Sequence, residues 1–243
     1  MIELESLTYT YPNGVPVFEN FSWKVERGET WAVLGPSGGG KTTLLYLLAG
    51  LRFPDSGRVL IDGQPLSRPR PHTGLILQDY GLLPWATVRQ NAELGMRIRS
   101  FYGPDGTHAP QDFQSTVGVD PWLDRLGLAP FKEKYPAQIS GGQRQRTAIA
   151  RTLALKPDLL LMDEPFSSLD APTREGLQNL TLVIVTHAIE EAAVLGQKIL
   201  LLGQPPNTET LIIANPGAAL PTFRETGEYL ALCRQLRQRM ESR

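Results

Sequence analysis

The 243-residue sequence predicts an α/β fold in which an antiparallel β subdomain precedes a parallel core with an inserted helical subdomain. Residues 2–10 and 18–25 alternate apolar and polar side chains, as half-buried strands do. The apolar run 30–34 leads into a glycine-rich loop and then into a helix-forming run that ends at Gly50. The segment 79–139 has helical spacing and polar loops instead, so we expect it to be the insert.

Composition and charge exclude several classes of protein. The formal net charge of −1 carries no global nucleic-acid signal, so we expect no nucleic-acid partner. Cys233 is the only cysteine, which excludes an internal disulfide. The first residues lack the basic and apolar regions of a signal peptide, and no apolar run approaches the roughly 20 residues of a membrane span. We therefore expect a soluble, cytoplasmic protein whose membrane role comes through a partner.

Residues 35–43 form the stretch around which the chain is organised. They match the pattern G-x-x-x-x-G-K-[ST], in which glycines let backbone N–H groups surround phosphate at a helix N-terminus. Lys41 is then expected to reach the β- and γ-phosphates, and Thr42 to offer its hydroxyl to Mg²⁺. This motif predicts a phosphate-loop NTPase core. Its expected nucleotide-binding residues are Gly35, Ser37, Gly38, Gly40, Lys41, Thr42 and Thr43.

The apolar run 159–162 ends in two acidic residues. A carboxylate at the end of such a strand lies beside the phosphate loop, so Asp163 is expected to bind Mg²⁺ directly or through water. Glu164 is positioned to polarise an attacking water. Gln78 and His187 also follow short apolar strands. The Gln78 amide could touch Mg²⁺ or the attacking water, but a lone Gln at a strand end is usually polar surface, and an isolated His is more often structural than catalytic. On the residues alone, the structural interpretation is therefore favoured for both.

The other elements follow in chain order from apolar periodicity and turn residues. We predict strands at 58–61, 73–78, 159–162, 181–186 and 198–202, helices at 88–99, 122–126, 141–154, 173–180 and 188–195, loops at 64–73 and 100–111, and a packing helix at 222–239. The chain is expected to be one domain, 1–243, with the β and α/β core at 1–78 and 157–243 and the helical subdomain at 79–156.

Residues 139–146, Ile-Ser-Gly-Gly-Gln-Arg-Gln-Arg, add a distinctive motif. It resembles the signature of the ATP-binding cassette (ABC) transporter ATPases, whose usual first residue is Leu, and it precedes the strand–acid motif at the family's spacing. The resemblance covers the whole chain. It implies that two subunits sandwich two ATP molecules head to tail, so that one copy completes the ATP site of the other. The residues supplied by the second copy would be Ser140, Gly141, Gly142 and Gln143.

The resemblance assigns roles to residues outside these motifs. Tyr11 matches the aromatic residue that stacks on adenine, with Tyr9 as the less favoured alternative because its alternation indicates core. Gln78 matches the residue whose loop couples the site to the membrane partner, and Asp170 matches the loop that communicates across the dimer. The implied catalytic residues are Glu164 as base, His187 on the γ-phosphate, and Gln78; the implied metal ligands are Thr42, Gln78 and Asp163.

Segments 82–88 and 186–192 resemble importer subunits of the nitrate, sulfonate and taurine branch. The implied function is ATP hydrolysis, with ATP and Mg²⁺, that powers import of a small organic or inorganic anion. The implied partners are a second copy, integral membrane permease subunits anchored at Trp85, and indirectly a solute-binding protein, at the inner face of the cell membrane. The alternatives are an exporter subunit and a non-transport ABC ATPase acting on nucleic acid.

The sequence departs from the family pattern in two places. Residue 188 is Ala, where the family usually has Asp. Only residues 171–180 separate the Asp170 loop from the predicted strand 181–186, whereas a parallel crossover needs a dozen or more residues. We therefore hypothesise that roughly ten residues are missing near Leu180. An intact mass of 26.9 kDa would contradict this hypothesis.

Overall fold

The computed structural model describes residues 1–102, 118–164, 180–220 and 222–241. The strands are β1 (Ile2–Thr10), β2 (Pro16–Val25), β3 (Thr30–Leu34), β4 (Ser56–Ile61), β5 (Gln64–Pro65), β6 (Thr73–Ile76), β7 (Leu159–Asp163), β8 (Thr181–Thr186), β9 (Lys198–Leu201) and β10 (Leu211–Ala214). The helices are α1 (Lys41–Leu48), α2 (Val88–Tyr102), α3 (Asp120–Arg125), α4 (Gly141–Leu153), α5 (Ile189–Leu195) and α6 (Gly227–Glu241). Short 3-10 helices lie at Ala129–Phe131, Pro136–Gln138, Pro216–Ala219 and Phe223–Glu225.

The chain divides into two compact units. The first comprises Met1–Arg70, Leu161–Glu164 and the described part of Leu180–Arg243. The second contains the described part of Pro71–Leu160. In the described residues, no helix combines the length and the apolar character that crossing a membrane requires.

The first unit opens with an antiparallel sheet in the order β2-β1-β4-β5. β1 buries Ile2, Leu4, Leu7 and Tyr9, the four apolar residues of the predicted strand, and pairs with both β2 and β4. The β1–β2 register shifts between Leu4 and Leu7, where strict alternation is interrupted. The two-residue strand β5 pairs with the end of β4. The expectation of an uninterrupted loop at 64–73 was therefore wrong, because Gln64 and Pro65 continue the turn after β4 into a short hairpin.

The first unit also contains a parallel arrangement centred on β3. β3 lies between β8 and β9 and runs parallel to both, so that Leu34 is paired with Thr186 and with Leu201. β7 borders β8, and the antiparallel edge strand β10, which the sequence analysis did not predict, borders β9. Every residue of β7 and β8 is buried, which explains why these strands are continuous apolar runs. The loops after β3 and β8 therefore leave the sheet at the same edge.

The second unit is largely helical. Its strand β6 lies beside the start of β7, where the Asp158 backbone N–H donates to the His72 carbonyl oxygen. β6 ends at Ile76, so the strand predicted for 73–78 is two residues shorter and Gln78 lies in the turn beyond it. Helices α2 and α3 pack on α4, and α2 continues through Tyr102, beyond the predicted end at residue 99. The loop predicted for 100–111 therefore begins later than expected, and from residue 103 it lies outside the described residues.

The C-terminal segment packs as expected, but as two elements. A 3-10 helix at Phe223–Glu225 precedes α6, because the extended Thr226 breaks the predicted helix. α6 buries Leu232, Cys233 and Leu236 in a cluster shared with α5. The helix predicted for 173–180 falls outside the described residues up to 179, and the hypothesis of missing residues near Leu180 stays a prediction.

Candidate nucleotide-binding site

The phosphate loop joins β3 to α1 with a backbone that only glycine adopts easily. Gly38 and Gly40 have φ angles of +79° and +93°, and the Gly40 carbonyl oxygen accepts the first helical hydrogen bond from Leu44. A Cβ at residue 40 would lie 2.6 Å from Val17 Cγ1. Both the conformation and the close approach therefore require glycine at residue 40.

Lys41, the first residue of α1, is only 8% exposed. Its ammonium group donates to the carbonyl oxygens of Gly35 and Pro36, each at 2.8 Å. Burial lowers the pKa of this ammonium, and the nearby carboxylates of Glu164 and Asp163 oppose that change. The loop thus holds a cation against its own backbone, in the position where the motif predicts a phosphate-binding lysine.

Thr42 and Asp163 place two oxygen ligands side by side. The Thr42 hydroxyl donates to Asp163 Oδ2 at 3.1 Å, although the two residues are 121 positions apart in the sequence. Burial raises the pKa of Asp163, and the hydrogen bond from Thr42 opposes this effect. A hydroxyl and a carboxylate suit Mg²⁺, which is usually held by one or two carboxylates together with phosphate oxygens and water. The residues present therefore fit the cation predicted from the sequence.

Glu164 follows β7 directly and contacts His187, which follows β8. Glu164 Oε1 lies 2.6 Å from His187 Nδ1, and the Glu164 backbone N–H donates to the Val185 carbonyl oxygen at 2.9 Å. Glu164 has a φ angle of +47°, in the left-handed region that L-residues rarely occupy. With this backbone conformation the carboxylate contacts the imidazole. Nothing in the sequence pattern indicates the strained conformation.

A pocket of about 330 Å³ lies between the phosphate loop, Tyr11 and Glu164 within the first unit. It is lined by Tyr11, Val17, Ser37, Gly38, Gly40, Lys41, Thr42, Thr43 and Glu164. Tyr11 is half-buried, and its hydroxyl shares a 2.7 Å hydrogen bond with Thr43 Oγ1. Tyr9 is 5% exposed and does not line the pocket, in line with its expected place in the core.

Asn207 is a buried residue of this site that the sequence analysis missed. Its side-chain amide donates to the carbonyl oxygens of Gly39 and Val17, and its Oδ1 accepts from the Gly203 backbone N–H. It therefore ties the phosphate loop to β2 and to the turn after β9. An Asn in a Pro-rich turn is too common a pattern to identify such a role from sequence.

The predicted signature residues begin α4 in the second unit. Ser140 is the N-cap: its hydroxyl oxygen accepts from the Gln143 backbone N–H at 3.2 Å, and Gln143 Oε1 accepts from the Ser140 backbone N–H at 2.8 Å. Ser140 and Gly141 are exposed, while Gly142 and Gln143 are half-buried. The helix N-terminus is therefore capped and accessible. Gln78, also in this unit, is exposed, and Asp170 lies outside the described residues.

The sequence is similar to a known protein family and to individual ATP-binding proteins. Residues 18–167 match the family model described as ABC transporter. The nitrate import ATP-binding protein NrtD of Synechocystis sp. is 39% identical over 215 residues, covering 84% of this chain and 77% of that protein. The taurine import ATP-binding protein TauB of Yersinia pestis is 41% identical over 216 residues, covering 85% of this chain and 81% of that protein.

Solved structures agree with the fold. A dimeric ATP-binding cassette in a post-hydrolysis state, bound to ADP and Pi, matches with a TM-score of 0.70 and 28% identity, covering 87% of this chain and 98% of that one. The cbiO1 protein of Clostridium perfringens, part of an ABC transporter complex, matches with a TM-score of 0.71 and 26% identity, covering 99% of this chain and 96% of that one.

Proposed function

We propose that this chain, which belongs to the ABC transporter family of ATPases, powers the import of a small organic or inorganic anion through partner membrane subunits. The family membership makes the chain an ATP-hydrolysing enzyme with a phosphate-loop fold. The direction of transport and the class of solute are inferred from the nitrate and taurine import proteins that it resembles.

The observation that carries the proposed ATP hydrolysis is the juxtaposition of Lys41, Thr42, Asp163, Glu164 and His187 in one unit. Lys41 and the loop N–H groups would bind the β- and γ-phosphates of ATP. Thr42 and Asp163 would hold Mg²⁺, which when bound supplies positive charge to the phosphate oxygens. Glu164 would orient a water and accept its proton at the carboxylate, and His187 would hold that carboxylate and contact the γ-phosphate.

The second half of each ATP site would come from another copy of the chain. The exposed N-terminus of α4 provides backbone N–H groups and partial positive charge where Ser140 caps the helix. A similar cassette forms a dimer with ADP and Pi. We infer that Ser140, Gly141, Gly142 and Gln143 of one copy face the nucleotide held by the other, and that Asp170 communicates across this dimer.

The partner on the membrane side would bind near Trp85, whose side chain is 73% exposed in the second unit. A large exposed aromatic residue is a typical anchor for a partner helix. Gln78, an exposed residue of the same unit, would couple this surface to ATP hydrolysis. In this scheme residues 79–156 form an insert in a single ATPase domain. The chain would be a peripheral protein at the inner face of the cell membrane, and a solute-binding protein would act through the membrane subunits.

Uptake by cells tests the proposal. A strain of the source organism that lacks this chain should lose uptake of one labelled anion of the nitrate, sulfonate or taurine class. The parent chain should restore uptake and the Glu164→Gln variant should not, whereas the surface variant Arg58→Met should restore it, since Arg58 lies outside the pocket. The tagged parent should also co-purify integral membrane proteins from detergent extracts. The assignment to import would be overturned if the strain lacking this chain retained more of the solute than the parent strain. It would also be overturned if the tagged protein co-purified nucleic acid and no membrane proteins.

A further inference from the structure

Arg52, four residues beyond the end of α1, lies among three tyrosine rings. Its Cζ lies 5.0 Å from the ring centroid of Tyr11, 5.9 Å from that of Tyr9 and 6.0 Å from that of Tyr46. Arg52 Nη1 also donates to the Tyr9 hydroxyl at 2.6 Å, and its backbone N–H donates to the Tyr46 carbonyl oxygen at 3.2 Å. The guanidinium is therefore held by a hydrogen bond as well as by the rings.

Tyr11 is the one of these three rings that lines the pocket of the phosphate loop. Its ring meets the buried Tyr9 ring edge to face, with centroids 5.4 Å apart and an interplanar angle of 78°. Its hydroxyl bonds to Thr43 in the first turn of α1. The ring is thus fixed by Thr43 at the start of α1, by Arg52 after its end, and by Tyr9 of β1.

We propose that Arg52 is a positioning residue for the base of the nucleotide, acting through Tyr11. This inference rests on the proposed function, in which Tyr11 stacks on adenine. A ring already held in place loses less conformational freedom when a base stacks on it, so part of the cost of binding is met in advance. Arg52 does not line the pocket, and Lys41 is held by bonds of its own. Arg52 should therefore strengthen the binding of the base and leave the binding of the phosphates unchanged.

The test compares ATP with inorganic tripolyphosphate, which lacks a base, by calorimetric titration in magnesium-free buffer. Arg52→Met removes the charge and the hydrogen bond and keeps an unbranched side chain. We expect it to raise the Kd for ATP roughly three- to ten-fold, because the Tyr11 ring would then have to be ordered when the base binds, and to leave the Kd for tripolyphosphate unchanged. Arg52→Lys keeps the charge without the planar fork and should show a smaller rise. The matched control is Arg58→Met, an exposed arginine paired with Glu5, which should change neither Kd.

A double-mutant cycle with Tyr11→Ala separates this inference from the function on which it rests. In the Tyr11→Ala background, Arg52→Met should have no further effect on the Kd for ATP. If Tyr11→Ala alone leaves that Kd unchanged, the proposal that the base stacks on Tyr11 is wrong. If Tyr11→Ala weakens ATP binding and Arg52→Met does not, only the inference about Arg52 fails. Equal losses of affinity for ATP and tripolyphosphate, or equal effects of Arg52→Met with and without Tyr11, would also overturn it.

Arg52→Lys provides the test if Arg52→Met does not fold. The measured quantity is then the ratio of the Kd for ATP to the Kd for tripolyphosphate. A ratio equal to that of the parent protein rejects the inference.

Discussion

Glu164 Oε1 and His187 Nδ1 lie 2.6 Å apart, at the ends of two strands that are neighbours in the sheet. The pair joins the residue after β7 to the residue after β8, and the Glu164 backbone N–H also bonds to Val185 within β8. Glu164 is held at a φ angle of +47° to make this contact. A strained residue beside a reactive group is typical of functional sites, where surrounding contacts stabilise an unfavourable conformation.

Glu164→Gln should nearly abolish ATP turnover and preserve ATP binding. The amide retains the shape of the side chain but does not accept a proton from water, so the bound nucleotide persists. Steady-state hydrolysis and size-exclusion chromatography with ATP measure the two effects, and we expect a stable dimer with ATP. The exposed Glu26→Gln is the control. Hydrolysis by Glu164→Gln at the parent rate would reject Glu164 as the base.

The backbone at Glu164 predicts an inverted order of stability. Glycine adopts positive φ without steric cost, whereas alanine costs about 1–2 kcal/mol there. We therefore expect Glu164→Gly to be more stable than Glu164→Ala by about 1 kcal/mol in equilibrium urea unfolding. At Lys24, a residue of β2 that does not have a positive φ, the same two substitutions should show alanine as the more stable variant. An alanine variant that is the more stable one at residue 164 would contradict the strained backbone.

Lys41→Ala should weaken nucleotide binding itself. The substitution removes the only side-chain cation among the described residues that line the pocket, and with it a charge-assisted contact to phosphate. We expect the Kd for ATP to rise at least about ten-fold, equivalent to roughly 1.4 kcal/mol. Titration calorimetry measures the change. Lys24→Ala, an exposed residue paired with Glu26, should bind as the parent does, and an unchanged Kd for Lys41→Ala would reject the assigned role.

The buried carboxyl of Glu191 predicts how stability depends on pH. Glu191 is 7% exposed and accepts a hydrogen bond from the Thr186 hydroxyl, and in the described part of the chain its Oε1 has no partner. Burial raises its pKa above the ordinary 4.5, and nearby Glu164 adds to the rise while His187 opposes it. The folded state therefore binds this proton more tightly than the unfolded chain, so stability falls as the pH rises above 4.5 through the raised pKa.

Glu191→Gln should remove that dependence. Thermal melts between pH 5 and pH 8 should show a smaller loss of Tm for the variant than for the parent, since each unit of pKa elevation corresponds to about 1.4 kcal/mol. Glu190→Gln, an exposed neighbour on α5 paired with Arg237, is the matched control and should follow the parent. If Glu191→Gln loses as much Tm as the parent, Glu191 does not carry the effect.

Trp85→Ala should abolish binding to the membrane subunits without changing ATP hydrolysis. We expect loss of co-purifying membrane subunits, with ATP hydrolysis by the isolated chain unchanged, because the exposed ring packs little within its own unit. Leu230→Ala, also an exposed large apolar residue, serves as the control and should retain the partner. Retention of the membrane subunits by Trp85→Ala would place their docking surface elsewhere.

Most elements are predictable because their signals are local. The alternation of β1, the glycine loop before Lys41 and the capping box at Ser140 each depend on residues a few positions apart. β10 was missed because it is a short edge strand that forms only against β9. Two predicted boundaries were wrong, the end of β6 before Gln78 and the helix start before Thr226, because propensity gives little information about where an element begins or ends.

The chemistry of this protein follows from local sequence motifs: a phosphate loop, a strand ending in two acidic residues and a signature at the start of a helix, all in the order of the ABC family. Which of these groups come into contact depends on how the chain folds. Thr42 reaches Asp163 across 121 residues, Tyr11 is held from both ends of α1, and Glu164 adopts a left-handed backbone against His187. These contacts depend on strand order and side-chain packing between distant segments, and no local pattern encodes them.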